Sequence, residues 1–133
     1  MSDFDKLVAS RKQWLNNVLR PWCVEASLRD LKKAEAEWAD IAGRVDIEAT
    51  LWTWAWSRFD ELVHEGLSGV SETYEVQVTF RDGSRRVGFP DARKSKRGQL
   101  FLVCRDRGAD RDAAHTYESG PHSIDDVVGV ERV

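Results

Sequence analysis

TYEVQVTFRDGSRRVGFP, residues 73–90, is where the chain changes its grammar, and the fold class follows from how it is read. Tyr74, Val76, Val78 and Phe80 fall on one face of an extended segment, with Thr73, Glu75, Gln77 and Thr79 on the other. A period of two with one apolar side describes a half-buried strand. Arg81-Asp82-Gly83-Ser84 follows, and Asp-Gly between alternating segments is a strong hairpin signal. Arg85–Phe89 is then the returning strand, ended by Pro90, which has no N–H to give to a ladder.

Downstream the strand pattern continues. Gln99–Cys104 reads as a third strand, and its nearly unbroken apolar run fits cover on both faces. Residues 105–114 form a charged loop expected to be mobile. His115–Tyr117 reads as a short fourth strand before a turn at Ser119-Gly120-Pro121. Ser123 can cap one helical turn through Ile124-Asp125-Asp126, and Val127–Val133 supplies a last strand.

Upstream the period is 3.6. Phe4, Leu7, Val8, Trp14, Leu15 and Val18 share one stripe, broken only by Arg11, which predicts an amphipathic helix. It should stop near Arg20, because Pro21 removes a donor and disfavours a helical residue before it. Ser27 followed by Asp30 resembles a capping box. It opens a second helix with Leu28, Leu31, Trp38, Ile41 and Ala42 inward, stopped at Gly43. Asp46 can cap a third helix, with Glu48 in its first turn, running to about Gly66.

The expected architecture is therefore α+β and one domain, 1–133. A helical half of three helices (1–69) precedes a β half (70–133) of five antiparallel strands in a meander. Strands this short and evenly spaced are expected to curl into a small SH3/Sm-like barrel, since closure removes exposed edges. At 133 residues, with 41% hydrophobic and 32% charged, the chain can bury a substantial core. The N-terminus lacks the apolar core of a secretory signal and no apolar run could cross a bilayer, so the expected location is the cytoplasm, with no membrane partner. Cys23 and Cys104 are far apart in sequence and read as two free thiols.

From Tyr74 to Val103 the order of features resembles the first motif of the Sm-like family. An alternating strand, a D-G turn, a strand with an internal glycine, an Asp-containing loop and an apolar strand follow one another. Val76, Val78, Phe80, Asp82, Gly83, Gly88, Asp91, Leu100 and Leu102 occupy the comparable places. The resemblance implies a small barrel, ring assembly and single-stranded RNA binding. A generic SH3-like barrel satisfies the same pattern. The loop Ala92–Gly98 holds Lys and Arg where Sm-like proteins have an apolar residue and an Asn that contacts RNA, so no functional residue is carried over.

Two features could carry function. The first is charge. The net charge is −3, yet between Arg81 and Arg97 there are seven basic residues against two acidic ones. Arg81, Arg85, Arg86, Arg93, Lys94, Lys96 and Arg97 are candidates for a phosphate-binding patch, with Phe89 or Phe101 as stacking partners. The bland alternative is a solvated face balanced by the acidic helical half. The second feature is aromatic surface. All six tryptophans, Trp14, Trp22, Trp38, Trp52, Trp54 and Trp56, lie in the helical half. Trp52 and Trp56 share a helix face while Trp54 points away, so Trp52, Trp54 and Trp56 mark a central buried helix, a protein interface or a ligand platform.

Catalytic and metal chemistry find little support. His115, Glu118, His122 and Cys104 match no metal-ligand spacing. Ser119 and Ser123 flank His122 too closely in sequence for a usual triad. Asp125 and Asp126 read as first-turn residues, and Gly66 and Gly69 lack the context of a phosphate loop. No cofactor and no reaction is expected. The reading is a non-enzymatic interaction module that self-associates or docks a protein partner, with single-stranded nucleic-acid binding as the alternative.

Overall fold

A computed structural model describes residues 3–43, 46–105 and 116–133, apart from the side chain of Ala42. Most of the expected charged loop, and His115, lie outside the described residues. The helical half contains α1 (Asp3–Trp14), α2 (Arg20–Glu25), α3 (Leu28–Ala36), α4 (Trp38–Ala42) and α5 (Thr53–Trp56). The β half contains β1 (Val76–Phe80), β2 (Arg85–Pro90), β3 (Gln99–Arg105), β4 (Thr116–Ser123) and β5 (Val127–Arg132).

The first helix does not stop at Arg20. A π-helical stretch, Leu15–Leu19, joins α1 to α2 without a break, and Pro21 sits inside the resulting rod. Just before the proline the hydrogen bonding widens by one residue, with Arg20 N–H donating to Leu15 O. A wider turn accommodates a ring that would otherwise meet the preceding turn. The rod ends at Ala26, whose backbone is extended. Ser27 then caps α3, its hydroxyl accepting from Asp30 N–H at 3.2 Å, as its position predicts. Leu31 and Trp38 are buried as expected, although the helix is interrupted at Glu37.

The third helix is shorter than its sequence period. A π-helical stretch, Glu48–Trp52, leads into α5, which ends at Trp56 instead of Gly66. Arg58 explains the stop. Its Nε donates to Ala55 O at 2.9 Å, and its Nη2 to Cys23 O and Ala26 O at 2.9 and 2.8 Å. One guanidinium thus bonds carbonyls at the ends of both α5 and α2, where helical donors run out. Phe59 is extended, and Asp60–Leu62 forms a 3₁₀ turn that still buries Leu62. Apolar periodicity survives where the helix does not.

In the β half the hairpin forms, but β1 starts at Val76 instead of Thr73, and Tyr74, expected on the buried face, is exposed. Val76, Val78 and Phe80 are buried and Val76 pairs with Gly88, Thr79 with Arg85. Gly88 is required by contact: a Cβ there would lie 2.8 Å from Val103 O on β3. The sheet order is β4-β3-β2-β1-β5, all antiparallel. Only the first four strands form a meander, because β5 crosses back to pair with β1. The outer strands β4 and β5 are not paired with each other, so the sheet is not closed into a barrel.

The fourth strand also departs from expectation. It runs Thr116–Ser123, straight through Ser119-Gly120-Pro121, with a register shift opposite Leu100 and Leu102. As an edge strand it can hold a proline without losing a ladder bond. Ser123 then caps the 3₁₀ turn Ile124–Asp126 by accepting from Asp125 N–H, as expected.

The two halves share one core. Trp52, Trp56, Leu31, Leu51 and Leu62 from the first half are buried in the same cluster as Leu100, Leu102 and Ile124 from the second. Two polar links reinforce the seam. Asp125 Oδ1 accepts from Leu28 N–H at 2.9 Å, and Glu35 accepts from both Trp52 Nε1 (2.6 Å) and Arg97 Nε (2.8 Å). Gly98 is the closest approach: at φ +76°, a Cβ on it would stand 2.4 Å from Leu28 Cδ1 and 3.0 Å from Trp52 Cζ3.

Candidate interaction surfaces

Two of the three clustered tryptophans lie in the core. Trp52 and Trp56 are 0% exposed. Trp54 is half-buried, its ring edge-on to Trp38 at 6.1 Å and beneath the Arg20 guanidinium. In the monomer, Trp52 and Trp56 therefore have no surface to give an interface. The Nε1 atoms of Trp38 and Trp56 are buried without a hydrogen-bond partner among the described residues.

The stripe on the first rod has the opposite fate. No residue of α1 is buried. Phe4 is 72% exposed, Leu7 70% and Val18 52%, and Val8, Trp14 and Trp22 are exposed as well. Arg11, the one break in the stripe, reaches over to Ile41 O at 3.3 Å, at the end of α4 where a cation suits the helix dipole. Beside the second half of the rod lies a groove of about 560 Å³. Its walls are Trp14, Val18 and Trp22 on one side and Ala34 and Ile41 on the other, and Asp30, Lys33 and Glu37 also line it. Sequence periodicity identified the stripe correctly but gave no means of telling that the monomer leaves it uncovered.

The seven basic residues do not form one patch. Arg97, itself at φ 56°, pairs with Glu35, and Lys94 pairs with Glu118. Lys96 acts electrostatically on Glu48, whose carboxyl is nevertheless pushed up, chiefly by burial. Arg81 Nη2 donates to Asp125 O at 2.7 Å. Arg85, Arg86 and Arg93 are exposed and form no ion pair among the described residues. Much of the positive segment thus meets the acid of the helical half and of β4. Phe89 lies under the Arg105 guanidinium, at 5.6 Å.

Arg81 and Arg86 do share a groove of about 510 Å³ with Phe80, Asp82, Ser84, His122 and Asp126. It lies between the β1–β2 hairpin and the β4–β5 connection. Arg86 is opposite Val78 in the ladder, so both side chains stand on one face of the sheet. His122 packs on Phe80 with ring centroids 4.5 Å apart, and its Nε2 is 2.8 Å from Ser119 Oγ. The fold brings Ser119 and His122 into contact, although sequence neighbours rarely assemble a triad. Burial and then Arg86 push the His122 pKa down, and Asp126 opposes them. Among the described residues no carboxylate hydrogen-bonds the other ring nitrogen, so nothing orients this imidazole as a general base. No three His, Cys, Asp or Glu side chains among the described residues are grouped to hold a metal ion.

Both thiols are buried and unpaired, and burial pushes Cys23 up to about 11. That environment is the reverse of one that makes a reactive thiolate. No helix among the described residues is long and apolar enough to cross a membrane. No protein-family model, no curated protein and no solved structure matches the chain.

Proposed function

We propose that this chain is a non-enzymatic interaction module that docks protein through the apolar stripe of its N-terminal rod. One observation carries the reading: α1 is a helix of 12 residues without a single buried side chain. Most helical stability in a folded protein comes from packing an amphipathic face. The stripe of Phe4, Leu7, Val8 and Trp14 is such a face, and it is exposed along its whole length among the described residues. Contiguous exposed apolar surface of this kind marks interaction sites. The test is face-specific photo-crosslinking, with a photoreactive phenylalanine placed at Leu7 or at Gln13, which lies on the opposite face of the rod. Discrete protein adducts at position 7 and none at 13 are expected. Equal or absent labelling at both positions would end the proposal.

A second reading, single-stranded nucleic-acid binding by the β half, is favoured by Arg85, Arg86 and Arg93, exposed and without ion pairs among the described residues. It expects anisotropy of labelled RNA to rise with protein at low salt, and affinity to fall steeply as salt increases. Replacing Arg85 and Arg86 by Gln should weaken binding further. Binding that ignores salt, or none at low salt, rejects it.

A further inference from the structure

The rod carries two unfilled halves of one contact. At its N-terminal end Phe4, Leu7 and Val8 form an exposed ridge that none of the described residues buries. At its C-terminal end Trp14, Val18 and Trp22 wall a groove against Ala34 and Ile41. Ridge and groove centres are about 12 residues apart on one continuous helix, roughly 18 Å at 1.5 Å per residue. The rod cannot fold its own ridge into its own groove.

We propose that the occupant is a second copy of this chain, its rod running antiparallel, so that each ridge fills the other's groove. This rests on the docking reading above and names its partner. A two-fold axis near the middle of the rod fills both grooves with one operation, which is how isologous dimers are built. Arg11 falls close to that axis, where a charge in the seam would be costly. Its guanidinium is instead directed to Ile41 O of its own chain, which keeps the seam apolar. The apolar area falls at the lower end of the standard range. The six exposed apolar residues of the stripe present roughly 600 Å² per chain, against about 800 Å² per partner for a standard interface including its polar rim. Asp30, Lys33 and Glu37 beside the groove can contribute to such a rim.

The geometry predicts pairing between unlike positions. Leu7 of one copy meets Val18 of the other, while the two Leu7 positions stay roughly 15 Å apart along the seam. Cys23 and Cys104 are buried at 0% and 1% exposure, so introduced thiols at the surface face no native competitor. The experiment combines sedimentation over a concentration series with disulfide trapping of full-length chains. Unmodified protein is expected to sediment as a dimer and Leu7→Glu as a monomer. A Leu7→Cys chain mixed with a Val18→Cys chain should crosslink under mild oxidation, and Leu7→Cys alone should not.

Crosslinking of Leu7→Cys with itself would overturn the antiparallel arrangement. A monomer at all concentrations would overturn the dimer, and hydrogen exchange over residues 3–14 then separates the two claims. A fast-exchanging α1 leaves the docking surface intact for another protein. A protected α1 in a monomer removes the need for any partner, and both readings fall.

Discussion

Leu51 and Leu7 are the same residue on two helical segments of one half, and they meet opposite environments: 0% exposed in one case, 70% in the other. Both stand in sequence with a helical period. The segment around Leu51 is apolar on nearly all sides, and the chain wraps it with α2, α3 and the Gly98 loop. The rod around Leu7 is apolar on one stripe only, and among the described residues that stripe is left exposed from Phe4 to Trp14. A helical period therefore reports which way side chains point. It does not report whether the surface they meet belongs to the same molecule.

The sharpest way to break this comparison is one substitution made twice. Leu51→Ala removes buried methyl groups from the shared core and should cost about 2–5 kcal/mol of stability. Leu7→Ala, in dilute protein, should change it by no more than about 0.5 kcal/mol. Urea unfolding of the two variants reads both. If Leu7→Ala is as costly as Leu51→Ala under those conditions, the rod is packed within the monomer and the contrast is gone.

A second contrast lies inside the core. Trp52 and Trp56 are both 0% exposed, but among the described residues only Trp52 has a partner for its indole N–H, the Glu35 carboxylate at 2.6 Å. Trp52→Phe strands part of a carboxylate that otherwise joins α3 to the Gly98 loop through Arg97. Trp56→Phe loses comparable volume and relieves an unpartnered N–H. Trp52→Phe should therefore cost about 1.5–3 kcal/mol more than Trp56→Phe, the range for a hydrogen bond to a charged group. Equal costs would mean that Glu35 takes its second bond from water.

Which parts were legible follows from the distance over which each signal acts. The Asp82-Gly83 hairpin, the Ser27 and Ser123 caps and the alternation of Val76, Val78 and Phe80 depend on neighbours within a few residues, and the sequence spells them out. The missed features depend on partners far along the chain. Arg58 ends α5 because it finds carbonyls 35 and 32 residues away. Pro21 is tolerated because the preceding turn widens, and Pro121 because β4 lies at a sheet edge. The open sheet depends on β5 choosing β1, which no strand's own pattern specifies. At the candidate sites, the basic residues were identified by type. Their pairing with Glu35 and Glu118, 62 and 24 residues away, was not readable from spacing.

The smallest expected effect concerns His122, where packing and charge act on one group at the same time. Its imidazole faces Phe80 from β1, Arg86 from β2, Ser119 on its own strand and Asp126 from the following turn. Burial and Arg86 disfavour the protonated ring more than Asp126 favours it, so its folded pKa lies below the ordinary histidine value. The unfolded chain then takes up its proton first. This contribution to stability is complete above about pH 6.5 and is lost as the pH falls from there through the depressed folded value. Proton–carbon correlation spectra of the ring carbons over a pH series would read the midpoint directly. Arg86→Gln should raise it and Asp126→Asn should lower it further. A midpoint at or above 6.5, unmoved by either change, would mean that the hairpin end and the β4–β5 connection do not close around the ring. The 510 Å³ groove would then be open solvent, and Arg81 and Arg86 would be independent surface charges without a shared site.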